Sequence, residues 1–211
     1  MPLEKIVHDT GRTWALWKVT EDEAILREHL YQDEGIPDTI TNPKKRLEWL
    51  AGRVIVKAIL TSLQLPFNGI IKDEYGKPFP KGHDHQLSLS HSFPYVAALV
   101  DEKESAGIDL EQPKTKLLAI APRVLHKSEL EDAGDDIIKH CIYWCAKESL
   151  VKVHGKKDLT FAENLIIDPF SRQIQGDIVG RIIVAGSERI IPLQYLVTTD
   201  FVMVLSKRST T

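Results

Sequence analysis

The sequence predicts an α+β protein built from two similar halves, each a long helix packed on a small antiparallel sheet. One long stretch with helical periodicity occurs in each half, at residues 44–63 and 137–154, with strand-like alternating segments on either side. The two stretches share a nine-residue pattern, WLAGRVIVK from Trp49 and WCAKESLVK from Trp144, in which Trp, Ala, Val and Lys coincide. These observations favour an internal duplication.

We divide the chain accordingly into an N-terminal lobe, residues 1–105, and a C-terminal lobe, residues 106–211, related by pseudo-two-fold symmetry. Each repeated helix is followed at a similar distance by an aromatic-Val strand, YVAAL in the first half and FVMVL in the second. A chain of 211 residues is long enough for one large domain or two small ones. We expect the lobes to pack face to face, and ligands often bind at such an interface.

In the N-terminal lobe the pattern predicts a strand over residues 12–18 and a short helix over residues 21–30. The long helix opens after Asn42-Pro43, which is a good start signal. The alternating segments LSLS and YVAALV lie on either side of HSFP. This arrangement predicts a β-hairpin with His91 in its turn.

In the C-terminal lobe residues 106–111 are predicted to form a strand. Ser128 and Glu131 have the spacing of a capping box and predict the start of a short helix. The long helix ends at Gly155, a natural stop. Several strand-like segments follow it, at residues 165–167, 177–184, 188–191, 195–197 and 201–205.

The composition is that of an ordinary globular protein, with 43% hydrophobic and 27% charged residues. The net charge of −3 argues against a general polyanion binder, so we expect no nucleic-acid partner. Any phosphate site must come from locally clustered cations. The N-terminus has no apolar segment of a secretory signal, and the apolar runs are too short to span a bilayer. We therefore expect a cytoplasmic protein.

The two cysteines, Cys141 and Cys145, lie four residues apart in the second long helix. This spacing fits neither a disulfide framework nor a CxxC site. We predict that both are small residues on a buried helix face. A zinc site with His140 as a third ligand is the alternative.

An acidic pair in AGIDLE raises the question of what compensates its charge. Asp109 and Glu111 point to the same face of a strand, where like charges are destabilising. Glu148 and Lys152 share one face of the second long helix. Three carboxylates form a hard oxygen site that suits Mg²⁺, which commonly keeps waters and substrate phosphates as further ligands. A surface ion pair on the helix is the alternative.

The first half supplies further cations that could bind a phosphate. Lys45, Arg46 and Arg53 lie in the first long helix, and YGKPFP is a rigid turn that contains Lys77. His91 stands between two serines that can donate hydrogen bonds. Each feature taken alone also fits a solvated side chain or a simple turn. Together with the acidic residues they predict a basic pocket that meets a metal ion.

AGIDLE followed by WCAKESLVK resembles the signature of the 4′-phosphopantetheinyl transferases, G-[IV]-D-x-E and then [FW]-[ST/C]-x-K-E-[AS]-x-x-K. YGKPFP and LSLSHS look like the two upstream motifs of that family, so four blocks occur in the family's order over residues 46–152. The length and the duplication resemble the larger, pseudo-dimeric members, of the surfactin synthetase activator type. Cys145 stands where the family usually has Ser or Thr, a change that we expect to affect packing.

The resemblance implies a reaction and its partners. Coenzyme A would donate its 4′-phosphopantetheine group to a serine of an apo carrier protein, with Mg²⁺ as cofactor and release of adenosine 3′,5′-bisphosphate. The N-terminal lobe would be the basic, coenzyme-A-binding side, and the C-terminal lobe would carry the metal ligands and the catalytic helix. A pseudo-dimer of this kind is expected to be a monomer. The resemblance does not indicate whether the carrier serves fatty-acid, polyketide or peptide synthesis.

The resemblance also implies roles for individual residues. Asp109, Glu111 and Glu148 would bind Mg²⁺, and Glu148 is also the candidate general base. Lys152 and Lys147 would neutralise phosphate charge, with Lys152 acting in catalysis. The remaining residues expected to bind coenzyme A are Arg46, Arg53, Tyr75, Gly76, Lys77, Pro78, Ser90 and His91. A small acidic helical carrier protein would dock on residues 114–127, a segment that could equally be an amphipathic helix packed on the core.

Two other functions stay open at this stage. One is a non-catalytic relative that binds coenzyme A or a carrier protein. The other is a Mg²⁺-dependent nucleotide phosphohydrolase.

Overall fold

The computed structural model describes residues 2–31, 34–156 and 158–208. The chain divides into two compact units, Met1–Ser105 and Ala106–Thr211. Each unit combines helices with an antiparallel sheet, so the α+β class is confirmed. Among the described residues, none of the helices has the length and apolar character needed to cross a membrane.

The first unit contains a four-stranded sheet in the order β1-β2-β6-β5 and a separate β3-β4 hairpin. Its elements are β1 Leu3–Asp9, β2 Arg12–Lys18, α1 Glu23–Arg27, α2 Pro43–Ser62, β3 Ile70–Lys72, β4 Pro78–Pro80, β5 Gln86–Ser92 and β6 Tyr95–Asp101. The predicted hairpin is present as β5 and β6. The short helix is shorter than predicted, and β1 was not predicted.

Helix α2 is the central element of the first unit. Asn42 caps it, because its side chain accepts hydrogen bonds from the backbone N–H groups of Lys44 and Lys45. Pro43 occupies the first turn, where its missing N–H is harmless. The buried face of the helix packs on strands β2 and β6 and forms the core of the unit.

The second unit contains a five-stranded antiparallel sheet in the order β7-β11-β10-β9-β8. Its elements are β7 Ile108–Glu111, α3 Lys116–Val124, α4 Lys127–Ala133, α5 Ile137–His154, α6 Phe161–Asn164, β8 Leu165–Ile167, β9 Gln175–Val184, β10 Ser187–Val197 and β11 Val202–Ser206. Helix α5 packs mainly on β7 and β11.

The bounds of α5 agree with the prediction. Asp136 caps the N-terminus by accepting from the N–H groups of Ile138 and Lys139. Gly155 ends the helix in the left-handed conformation, with φ of 81°. The helix therefore begins and ends where local chemistry requires.

Two local predictions in the second unit were wrong. The N-cap of α4 is His126 and not Ser128, because Glu129 forms the capping box by accepting from the backbone N–H of His126. Strand β10 is continuous, although residues 188–191 and 195–197 were predicted as two separate strands. Pro192 is accommodated within the ladder opposite Val179, and its carbonyl accepts a hydrogen bond from a residue beyond β11.

The two units share a connectivity around their long helices. In each unit, the strand that precedes the long helix pairs with the last strand of the unit. The last strand also pairs with the strand that comes directly before it in the chain. The pairs are antiparallel: β2 with β6 and β6 with β5, then β7 with β11 and β11 with β10. This connectivity supports the duplication, and the pseudo-two-fold relation of the lobes stays a prediction.

Candidate active site

The charge partner of the acidic strand is Lys152. Its amino group lies 2.8 Å from Asp109 Oδ1 and donates a second hydrogen bond to the carbonyl oxygen of Ile108 at 2.7 Å. Asp109 is 7% exposed and the Lys152 side chain is 25% exposed. Strand β7 and helix α5 therefore join a carboxylate and an ammonium group that lie 43 residues apart in sequence.

A close contact between backbone segments makes this junction possible. A Cβ atom on Gly107 would lie 2.1 Å from the carbonyl oxygen of Ser149. The Ser149 hydroxyl donates to the carbonyl oxygen of Val204 at 2.9 Å, which ties the same turn of α5 to β11. Gly107 was not singled out in the sequence, although its place in AGIDLE was a usable signal.

Glu148 is the second carboxylate of the site. It is half-buried on α5. Burial is the main cause that raises its pKa, the negative charge of Asp109 raises it further, and the positive charge of Lys152 acts in the opposite direction. Glu148 therefore lies within electrostatic range of both residues.

Glu111, the third predicted ligand, has contacts of its own. Its Oε1 accepts from the N–H of Gln112 at 2.9 Å, and its Oε2 lies 3.9 Å from the amino group of Lys116. Across the part of the chain that the structure describes, no group of three or more His, Cys, Asp or Glu residues is arranged to hold a metal ion. The three-carboxylate metal site accordingly stays a prediction.

The donor chemistry nevertheless fits Mg²⁺. Asp109 and Glu148 contribute carboxylate oxygens, and Asp109 lies close enough for its charge to raise the pKa of Glu148. Mg²⁺ is commonly bound by one or two carboxylates, with water and substrate phosphates as the other ligands.

Lys147 is in a different environment from Lys152. Its side chain is fully buried, and its amino group lies 2.6 Å from Glu129 Oε2 and donates to the carbonyl of Phe161 at 3.0 Å. Burial lowers the pKa of Lys147, and the charge of Glu129 opposes that effect. A lysine enclosed in this way is unsuited to binding a phosphate, which speaks against the expected role of Lys147 in binding coenzyme A.

The segment that carries this site is similar to a known protein family. Residues 105–195 match the 4′-phosphopantetheinyl transferase superfamily. The matched segment includes Asp109, Glu111, Glu148 and Lys152. The comparison with curated proteins found no match.

Residues of the first unit that resemble upstream transferase motifs lie outside the matched segment. Arg46 forms a bidentate contact with Glu23, with nitrogen–oxygen distances of 2.7 and 2.8 Å. Arg53 lies 3.1 Å from Glu34 Oε1, and its guanidinium stacks on the Trp49 ring at 3.2 Å. Burial lowers the pKa of Arg53 to about 10, against the opposing charge of Glu34. Both arginines are thus paired with carboxylates.

His91 lies in strand β5 and not in the hairpin turn, which corrects the prediction. Its Nδ1 is 3.2 Å from Glu48 Oε2, which also lies 2.7 Å from the amino group of Lys45. Glu48 Oε1 accepts from the backbone N–H of Phe93 at 3.0 Å. Glu48 is buried and brings the Lys45 amino group and the His91 ring together, and Ser90, which precedes His91 in β5, is buried. The sequence did not single out Glu48.

The YGKPFP segment forms a turn that Asp73 holds. Asp73 Oδ1 accepts from the N–H groups of Tyr75 and Lys77, and Gly76 has a positive φ of 90°. Tyr75 is exposed, the amino group of Lys77 donates to Ser105 Oγ at 3.1 Å, and Pro78 begins β4.

The two cysteines are free and fully buried, as predicted. Cys141 Sγ lies 3.7 Å from the carbonyl oxygen of Glu111, and Cys145 Sγ lies 3.8 Å from that of Val202. Burial raises the pKa of Cys145 well above its usual range. The zinc alternative with His140 finds no support among the described residues.

The segment over residues 114–127 contains α3, which has two distinct faces. Leu117 and Ala121 are buried in the core of the second unit. Lys116, Leu118 and Arg123 are exposed. The helix therefore packs on the core and presents a mixed basic and apolar outer face.

Proposed function

We propose that the protein transfers the 4′-phosphopantetheine group of coenzyme A to a serine hydroxyl of an apo carrier protein and releases adenosine 3′,5′-bisphosphate. The observation that carries the proposal is the Asp109–Lys152 contact beside Glu148, within a segment that matches the 4′-phosphopantetheinyl transferase superfamily.

Asp109, Glu148 and Glu111 are the proposed ligands of Mg²⁺. When bound, Mg²⁺ would act as a Lewis acid toward the diphosphate of coenzyme A. Phosphoryl transfer depends chiefly on positioning and charge stabilisation. The residues of this chain supply both: Lys152 brings a positive charge held in place by Asp109, and Glu148 brings a carboxylate oxygen that can accept the serine proton. Burial and the charge of Asp109 raise the pKa of Glu148, which makes its carboxylate a stronger proton acceptor than an exposed glutamate.

We propose that the first unit binds the nucleotide end of coenzyme A. The turn with Tyr75, Gly76, Lys77 and Pro78 offers an exposed aromatic ring and an ammonium group to adenine or the 3′-phosphate. Ser90 and His91 would contact phosphate oxygens, next to Lys45. Arg46 and Arg53 form ion pairs with Glu23 and Glu34, respectively, and these pairs anchor α2. The two arginines would support the site through this anchoring, or would leave the carboxylates and bind phosphate instead.

The proposed carrier protein is small, acidic and helical. Its docking surface would be the outer face of α3, where Lys116, Leu118 and Arg123 are exposed. Such a face offers both charge complementarity and an apolar contact. The larger, pseudo-dimeric type, a monomeric state and a cytoplasmic location complete the proposal.

A single reaction tests the proposal against its alternatives. The purified protein is mixed with Mg²⁺, coenzyme A and a panel of apo carrier proteins, and the carrier mass is measured. A phosphopantetheine-sized gain that disappears with EDTA and in Asp109→Ala supports transfer. Cleavage of coenzyme A without that gain indicates a phosphohydrolase, and binding without either product indicates a non-catalytic relative.

A further inference from the structure

The buried ion pair between Glu129 and Lys147 joins four elements of the second unit. The Glu129 carboxylate accepts from the backbone N–H groups of His126 and Ile167, both at 2.7 Å, and lies 2.6 Å from Lys147 Nζ. Lys147 Nζ also donates to the carbonyl of Phe161 at 3.0 Å. The ion pair thereby ties α5 to α4, α6 and the end of β8.

The residue on the other side of Glu148 is anchored as well. The Ser149 hydroxyl donates to the carbonyl of Val204, and the Ser149 carbonyl lies against Gly107. Successive residues of a helix project about 100° apart. Anchors on both Lys147 and Ser149 therefore restrict the rotation of α5 about its own axis at Glu148.

A buried ion pair is a weak source of net stability, because the cost of removing two charges from water offsets their attraction. Its geometry is nevertheless directional, and here three donors from different elements fix the Glu129 carboxylate. The arrangement therefore suits orientation better than it suits stabilisation.

We infer that Glu129 and Lys147 form a positioning pair, which holds α5 in the rotation that keeps Glu148 beside Asp109 and Lys152. The inference rests on the proposed function and adds two residues that do not touch the substrate. It predicts that loss of the pair reduces turnover more than it reduces the affinity for coenzyme A.

The test uses the full-length protein and two variants of the pair. Lys147→Met removes the ammonium group and leaves Glu129 with its two backbone donors. Glu129→Gln/Lys147→Met leaves no buried charge. The matched control is Tyr143→Phe, which removes a partly buried hydrogen bond of the same helix, from the Tyr143 hydroxyl to Asp132 at 2.5 Å.

Three readouts are compared at a temperature where unfolding curves show every protein folded. These are kcat and KM for coenzyme A in the carrier assay, and the affinity for Mn²⁺ in the presence of coenzyme A, measured by electron paramagnetic resonance. We expect kcat of the pair variants to fall about 10- to 100-fold, because small misplacements of catalytic groups slow a reaction by factors of this size. We also expect Mn²⁺ to bind more weakly, with KM for coenzyme A nearly unchanged, and Tyr143→Phe to resemble the wild type.

Each other result overturns the inference. Wild-type turnover and Mn²⁺ affinity in both pair variants would exclude positioning. Equal losses in Tyr143→Phe, or failure of both pair variants to fold, would assign the pair to stability alone. If the wild-type protein leaves the carrier mass unchanged, the proposed function itself is refuted. This outcome is distinct from a failure of the positioning inference, in which the wild type is active and the pair variants match it.

Discussion

Gly107 has the tightest steric constraint at the candidate site. A methyl group there would meet the Ser149 carbonyl oxygen at 2.1 Å, and backbone atoms cannot move aside as a flexible side chain can. We expect Gly107→Ala to lower the free energy of unfolding by about 1–3 kcal/mol or more, the usual cost of overpacking. Urea unfolding measures the change.

The chain offers a matched control for this substitution. A Cβ on Gly52, within α2, would have its nearest neighbour at 4.0 Å, which is an ordinary contact. Gly52→Ala should therefore stabilise the protein by about 0.5–1 kcal/mol, since Ala is the better helix former. A Gly107→Ala protein as stable as the wild type would contradict the packing argument.

Lys152 is expected to act in the chemical step. Lys152→Met removes the charge that we propose for the phosphate while keeping most of the apolar stem. We expect kcat to fall about 100-fold, with KM for the carrier protein unchanged, as in the loss of one electrostatic contact in a transition state. The control is Lys57→Met at the matching place of the repeat, where the amino group donates to the carbonyl of His29. A loss confined to carrier affinity would reject this assignment.

Glu23 should titrate far below an ordinary glutamate. Hydrogen bonds from Arg46 and then Arg27 lower its pKa from 4.5 to about 2. Because the folded-state pKa is the lower one, the contribution of Glu23 to stability is present above pH 4.5 and is lost as the pH falls through about 2. A carbon-13 NMR titration of the Glu23 carboxyl measures this, and Arg46→Gln should move the midpoint upward. A midpoint near 4.5 in the wild type would show that the pair does not persist in solution.

At the scale of elements, local signals predicted the two long helices well. Asn42-Pro43 and Gly155 act within one turn of the helix ends, so their effect could be anticipated from sequence alone. The N-cap of α4 could not be identified in this way. Ser128 and Glu131 have the right spacing, but the carboxylate that becomes buried and paired with Lys147 is that of Glu129. The contact between Glu129 and Lys147 therefore favours His126 over Ser128 as the N-cap of α4.

Strand β10 shows a second limit of sequence-based prediction. Pro192 removes a hydrogen-bond donor, which favours a break in an isolated strand. In the folded unit the residue is supported on both sides, opposite Val179 in β9 and through its carbonyl to Lys207. Pairing across the sheet outweighed the local preference.

The outer face of α3 permits a prediction about the partner. Arg123→Glu places a negative charge on the proposed docking surface of an acidic carrier protein. We expect KM for the carrier to rise and the rate at saturating carrier to stay unchanged, because a charge at the rim of an interface acts mainly on association. Raising the salt concentration should reduce the difference between variant and wild type. Lys72→Glu, an exposed charge reversal in the first unit, is the control, and equal effects of both variants would exclude this face.

At the scale of the whole molecule, the sequence predicted the residue types of the site better than their contacts. The sequence indicated that the acidic strand needs a positive partner but assigned Lys152 to phosphate, whereas the structure pairs Lys152 directly with Asp109. The burial of Lys147 could not be predicted, because its partner Glu129 lies 18 positions earlier in a different helix. Likewise, Glu48 has no motif that marks it as the carboxylate next to His91.

The contact between Gly107 and α5 also bears on how the gene can vary. Every non-synonymous single-nucleotide change in a glycine codon produces either a residue with a side chain or a stop codon. Any single amino-acid substitution of Gly107 therefore places a Cβ atom against the Ser149 carbonyl oxygen. In a library of random variants selected for activity, Gly107 should change only through synonymous codons, while Gly52 should be replaced by alanine in some variants.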